Sequence, residues 1–95
     1  MHVISRKALR TFWLRQSESE QPLRRWHKLM TTTDFESFAE LRQTFPSADM
    51  IDDWTVFNIG GNKFRLIASI HFNCHKVYVR DVLTHAEYDL GNWKK

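Results

Sequence analysis

Two arginines, a histidine and a tyrosine set the chemical question. Arg65, Arg80, His85 and Tyr88 all fall in the stretch VFNIGGNKFRLIASIHFNCHKVYVRDVLTHAEYD, from Val56 to Asp89. These are the side chain types needed to cleave RNA without a metal. RNA can be cut by its own neighbouring 2′-hydroxyl if a base removes the 2′ proton, a cation stabilises the charge developing on the phosphorane, and an acid protects the leaving 5′ oxygen. Preorganised charge at the developing anion is usually the largest catalytic term, and a general acid or base adds about 10²–10⁴-fold. Arginine suits the phosphate because its planar fork is permanently charged. Histidine suits proton transfer near neutral pH.

Such groups need a scaffold that aims them at one point. Lys63 to Asn73 alternates with a period of two. Phe64, Leu66, Ala68, Ile70 and Phe72 fall on one face, and Lys63, Arg65, Ile67, Ser69 and His71 on the other. Lys76 to Leu83 reads as the next strand, with Val77 and Val79 facing one way and Tyr78 and Arg80 the other. Trp54 to Ile59 precedes them, and Gly60-Gly61-Asn62 is a turn signal. Adjacent strands lie about 4.8 Å apart, so Arg65 and Arg80 on one face would share a single phosphate. Solvated strand arginines carry the same pattern. Thr84 can cap a last helical turn that puts His85 and Tyr88, three residues apart, on one side. His71 is a weaker proton-transfer candidate, and His2, His27 and His75 read as surface or turn residues.

Upstream, Met1 to Ile4 suits an edge strand. Ser5 is positioned to cap a helix carrying Ala8, Leu9, Phe12 and Trp13 at helical spacing. Pro22 fits the first turn of a second helix with an apolar stripe of Leu23, Trp26, Leu29 and Met30. Asp34 is the expected cap of a third, with Phe35, Phe38, Leu41 and Phe45, which Pro46 ends. Ser47 to Asp53 reads as an acidic loop. The expected architecture is α+β, one domain over residues 1–95. N-terminal helices cover one face of a small, mainly antiparallel sheet, and the opposite face stays open.

Composition narrows the function classes. Four Trp and seven Phe in 95 residues supply a modest core. Cys74 is alone, so an internal disulfide or a Cys-based zinc site is excluded. His71 and His75 are four apart, a ligand spacing on a helix but not across a strand and turn. The glycine pair lacks the pattern of a phosphate-binding loop. No apolar run reaches the roughly 18–20 residues of a membrane span, and MHVISRKALR lacks a signal-type apolar stretch, so a cytoplasmic location without membrane contact is expected. Net charge is +3 but unevenly spread. Residues 1–30 hold seven Lys/Arg against two Glu, residues 31–55 one Arg against six acids, and residues 56–95 six Lys/Arg against three acids. Basic ends around an acidic middle fit a polyanion met by part of the surface.

The stretches VFNIGGNKFRL and VYVRDVLTHAEYD, the closing NWKK, the opening MHVISRKALR and the internal FPSAD together resemble the HigB family of toxins of type II toxin–antitoxin systems. The similarity spans nearly the whole chain. It implies a RelE-like fold, cleavage of messenger RNA on the ribosome with no cofactor, and neutralisation by a HigA-type antitoxin through which alone the complex meets operator DNA. Carried over by residue, Asn62, Lys63 and Arg65 match the family's Asn-Lys-aromatic-Arg element. Arg80 matches its third-strand arginine, and His85 and Tyr88 match its Thr-His-x-x-Tyr element. Arg65, Arg80, His85 and Tyr88 are then the expected catalytic residues, with Asn62, Lys63, His71, Lys94 and Lys95 as RNA contacts and no metal ligand. Asp81 stands where many relatives carry a neutral or apolar residue. The superfamily also includes gyrase-poisoning ParE toxins, so a non-catalytic gyrase binder, or an RNA-binding module without activity, is the competing reading.

Overall fold

The structure, a computed structural model, describes residues 1–94; the expected RNA contact Lys95 lies outside them. A short strand β1 (His2–Ile4) leads into α1 (Arg6–Arg15), whose first turn is capped as expected, the Ser5 hydroxyl accepting from the Lys7 amide at 3.1 Å. One turn of 3₁₀ helix (Ser17–Ser19) joins α1 to α2 (Glu20–Thr32), with Pro22 in its first turn. Thr31 and Thr32, whose β-branched run suggests an interruption, are still the last residues of α2; their hydroxyls donate to the His27 (2.9 Å) and Lys28 (2.7 Å) carbonyls.

Asp34 does not cap α3 (Phe38–Thr44). Ser37 does, through the Glu40 amide at 3.1 Å. The Asp34 carboxylate instead accepts from the Met1 amino group at 2.9 Å, and that hydrogen bond and charge hold its pKa below the ordinary value. The same amine also donates to the Met30 and Thr33 carbonyls, which ties the start of β1 to the end of α2. The expected acidic loop contains a short strand, β2 (Asp49–Ile51), paired antiparallel with β3 (Trp54–Ile59).

The five strands are ordered β1-β5-β4-β3-β2, with β4 (Phe64–His71) central and β5 (Lys76–Thr84) beside it. Among the described residues, only the β1–β5 pairing is parallel. Helices α1 and α2 cover one face. Leu9, Phe12, Trp13, Leu23, Trp26 and Met30 pack against Phe57, Ile59, Phe64, Leu66, Ala68, Val77 and Val82. The α+β arrangement is the expected one.

The other face is not the open cationic surface that alternation suggests. Val56, Ile67 and Trp93 form a second buried cluster there, ringed by Ile51, Trp54, Leu83 and Tyr88. The cover comes from α4 (His85–Leu90) and a closing 3₁₀ turn (Asn92–Lys94), which fold back over the sheet. Strict alternation in β5 also fails. Ile67 pairs with Asp81 while Ala68 pairs with Val79, so Arg80 is an extra residue in a bulge. The bulge resets the alternation and returns Val82 to the helix-covered face.

The start of α4 is a capping box. The Thr84 hydroxyl accepts from the Glu87 amide, and the Glu87 carboxylate accepts from the Thr84 amide at 2.9 Å. That main-chain hydrogen bond holds the Glu87 carboxyl below the usual carboxylate range. A carboxyl with a depressed folded pKa stabilises fully above its unfolded value, about 4.3, and this contribution is lost as pH falls through the folded one. Glu87→Gln should therefore lie below the wild type in urea unfolding at neutral pH, and the gap should close in acid, below about pH 4. Leu66, fully buried under the helices, gives a pH-independent comparison: Leu66→Ala should cost about 2–5 kcal/mol in the same assay.

Candidate active site

The turn between β3 and β4 and the first turn of α4 meet at one end of the sheet. Gly60 and Gly61 both hold positive φ (62° and 69°), which lets the chain reverse within residues 60–63. The Lys63 carbonyl then accepts from the His85 amide at 3.1 Å. This main-chain bond brings His85 beside Asn62 and Arg65, although it lies 20 residues beyond Arg65 in the chain.

Arg65 is buried, with 8% of its surface exposed. Its Nη1 donates to the carbonyls of Asn62 (3.2 Å) and Phe64 (3.1 Å), and its Nη2 to Asn62 Oδ1 (2.7 Å). The guanidinium carbon lies 5.4 Å from the centre of the Tyr88 ring. Nη2 is also 3.3 Å from His85 Nδ1, which in turn is 3.3 Å from the Asn62 carbonyl. His85 Nε2 faces Asp89 Oδ2 at 3.1 Å. The imidazole has partners in both protonation states. When neutral with hydrogen on Nε2, it donates to Asp89 and accepts from Arg65. When Nδ1 also gains a proton, the Asn62 carbonyl accepts it. A proton can be exchanged without turning the ring. The Asp89 pair is solvent-facing, with side chains 46% and 62% exposed, so it holds the ring only weakly against an incoming ligand.

Arg80 lies on the same sheet face. Its guanidinium is 4.8 Å above the Trp54 ring, and its Nε donates to the Trp93 carbonyl at 3.3 Å. The Trp93 ring stacks on Tyr88 (5.2 Å, 12° between planes), and its indole N–H donates to the Tyr88 carbonyl at 3.1 Å. Gly91, at φ 76°, ends α4 and lets the chain turn back to seat this indole. Arg65 and Arg80 thus flank one aromatic stack, Arg65 buried beneath and Arg80 exposed beside it.

Of the residues expected from the sequence, Asn62, Arg65, His85 and Tyr88 come together, and Arg80 borders them. Lys63 does not join. Its Nζ lies 3.3 Å from Glu18 on the helical side, in an exposed pair. His71 is at the far end of β4, six residues and about 20 Å of strand from Arg65. Lys94 is exposed at the last turn, its Nζ 5.7 Å from the Trp93 ring. The Asp81 carboxylate accepts from the Val82 amide at 3.1 Å. Sequence reasoning missed Asp89 and Trp54. Asp89 was visible as the i+4 partner of His85 on a helix. Trp54 was visible as the strand position opposite in phase to the core residues Thr55, Phe57 and Ile59. Among the described residues, no three of His, Cys, Asp and Glu gather where they could hold a metal ion, and no helix is long and apolar enough to cross a membrane.

Comparison with known proteins fits this arrangement. Residues 19–91 match the model of the HigB toxin family, described as the RelE-like toxic component of a toxin–antitoxin system. The chain is 35% identical over 92 residues to the "mRNA interferase toxin HigB" of Escherichia coli (strain K12), covering 94% of this chain and 88% of that protein. It shows the same identity and coverage to the "mRNA interferase HigB" of Shigella flexneri. A relative of that name from Escherichia coli O6:H1 is 32% identical, covering 94% of this chain and 89% of its own. With its α+β fold and the matched span that contains Asn62, Arg65, Arg80, His85 and Tyr88, this chain belongs to the HigB toxin family, the RelE-like toxic components of toxin–antitoxin systems.

Proposed function

We propose that this chain is an endoribonuclease that cleaves messenger RNA presented by the ribosome. The observation that carries the reading is His85, anchored by Arg65, Asn62 and Asp89 at the border of an arginine-bearing aromatic cluster. The relatives named mRNA interferase supply the substrate class.

In this reading the RNA provides its own nucleophile. The 2′ oxygen loses its proton to water and forms a bond to phosphorus, the bond from phosphorus to the 5′ oxygen breaks and that oxygen takes a proton from His85, and the products are a 2′,3′-cyclic phosphate and a 5′-hydroxyl. Arg80 is the phosphate ligand, its exposed guanidinium braced against Trp54. His85 serves as the acid from its doubly protonated form: Nδ1–H rests on the Asn62 carbonyl, and Nε2 exchanges its weak contact with Asp89 for the leaving 5′ oxygen and gives it the proton. Arg65 is a positioning residue, because its donors are committed to Asn62, Phe64 and the imidazole. Tyr88, its ring held between the Arg65 guanidinium and the Trp93 indole, keeps both in place beside the reacting nucleotide. The family's partner is an antitoxin; we assign it to the HigA type, with operator DNA met only through that antitoxin. A messenger RNA on the ribosome as target supports a cytoplasmic site of action.

Mapping transcript 5′ ends after tightly controlled induction tests the reading: new ends within translated regions are expected, and growth arrest with intact transcripts would overturn it. Arg80→Ala should slow cleavage on programmed ribosomes by roughly 10²–10³-fold. His85→Ala should slow it by roughly 10²–10⁴-fold. Arg65→Lys keeps the charge but loses the fork that holds Asn62 and His85 together. It should lower kcat with little change in KM, and an unchanged kcat would remove Arg65 from the positioning role.

A further inference from the structure

The face that carries His85 and Arg80 continues past the part covered by α4. Beyond the bulge, toward the β4–β5 turn, it presents Ser69, His71, Lys76 and Tyr78, none of them buried. Tyr78 is 40% exposed, one of four large apolar side chains left so on the described surface. It has no part in either core cluster. The His71 ring lies against it edge-on, 5.3 Å between centres and 84° between planes. The Ser69 hydroxyl is 3.5 Å from His71 Nε2. Register puts Ser69 opposite Tyr78 and Lys76 opposite His71.

A perpendicular aromatic pair of this kind leaves ring surface exposed at the sheet face, and the register puts the cationic residue Lys76 opposite His71. Stacking on an aromatic face, next to a cationic track for the backbone, is how proteins hold single-stranded nucleic acid. Position along the strand ties the pair to the site. Tyr78 is two residues before Arg80 on one strand and one face, a separation of about 7 Å. Arg65 and Ser69 are four apart on β4, about 13 Å, so the pair lies on the same face within a short stretch of strand from the candidate site.

We propose that Tyr78, braced by His71, is a stacking subsite for the base of a nucleotide flanking the scissile phosphate, with Lys76 beside its backbone. This rests on the reading of the chain as an RNA-cleaving toxin and adds the point at which it grips the substrate outside the reacting bond. The subsite is sequence-tolerant in kind, because every base has a π-face. It therefore contributes to affinity and register on the RNA, while the proton-transfer machinery is separate.

The probe is a single-stranded RNA carrying a 2′-deoxy nucleotide at the cleavage position, offered free and on programmed ribosomes, with an abasic residue moved along its flanks. For the wild-type protein, one flanking abasic position should weaken binding roughly 5- to 100-fold. Tyr78→Ala should show the same loss on the intact RNA and no further loss on that abasic RNA, while Tyr78→Phe binds like the wild type. With cleavable RNA, Tyr78→Ala should raise KM and leave kcat near the wild-type value. Independent, additive losses from the abasic residue and from Tyr78→Ala would overturn the proposal. So would unchanged RNA binding with lost neutralisation by the antitoxin, which would make this a protein-binding surface. The two readings separate cleanly: coupling between Tyr78 and one base without cleavage keeps the subsite and removes the nuclease, and cleavage without coupling does the reverse.

Discussion

The Arg65 guanidinium organises the end of the molecule where the candidate site lies. A buried cation costs several kcal/mol unless its donors are satisfied. Here the Asn62 and Phe64 carbonyls and the Asn62 side chain take up its N–H groups, and the Tyr88 ring lies against the guanidinium. Each partner comes from a different element: the β3–β4 turn, β4 itself and α4. Satisfying one charge therefore fixes three pieces of chain against each other. The imidazole of His85 is held as a consequence, because the nitrogen it turns inward meets the same guanidinium and the same turn carbonyl.

A second constraint sits in β5. The bulge at Arg80 lies just past the point where β1 stops pairing, at Tyr78. With an extra residue in the strand, Arg80 and Asp81 both fall outside the helix-covered core and Val82 returns to it. Arg80 then reaches Trp54 and the Trp93 carbonyl. Without the bulge, alternation would drive Val82 out and leave the helices facing Asp81. The same local irregularity that protects the core thus aims the exposed arginine at the site.

The helices were legible because their signals are local. Ser5, Pro22 and the apolar stripes of α1 and α2 act within one or two turns, and the structure buries most of each stripe, with Ala8 and Leu29 only partly buried. The alternation of β4 correctly separated Leu66 and Ala68 from Arg65 and His71. It misjudged the second face, since Ile67 was grouped with the polar residues yet is fully buried under Trp93. Asp34 looked like a helix cap for good chemical reasons. It was claimed instead by the Met1 amino group, 33 residues away, which no local pattern reveals.

What the sequence determined by itself was the set of elements, the family and the residue types of the site, because periodicity, capping and motif all operate over short stretches of chain. Only the tertiary structure decided which cations gather at the candidate site. Lys63 turns to Glu18, His71 is carried to the far end of β4, Arg65 is buried as a brace and Arg80 is left at the surface. Those outcomes depend on where a returning C-terminal helix lands and on one extra residue in a strand. Both are settled by burial and charge satisfaction across the whole fold, at separations that a linear pattern does not span.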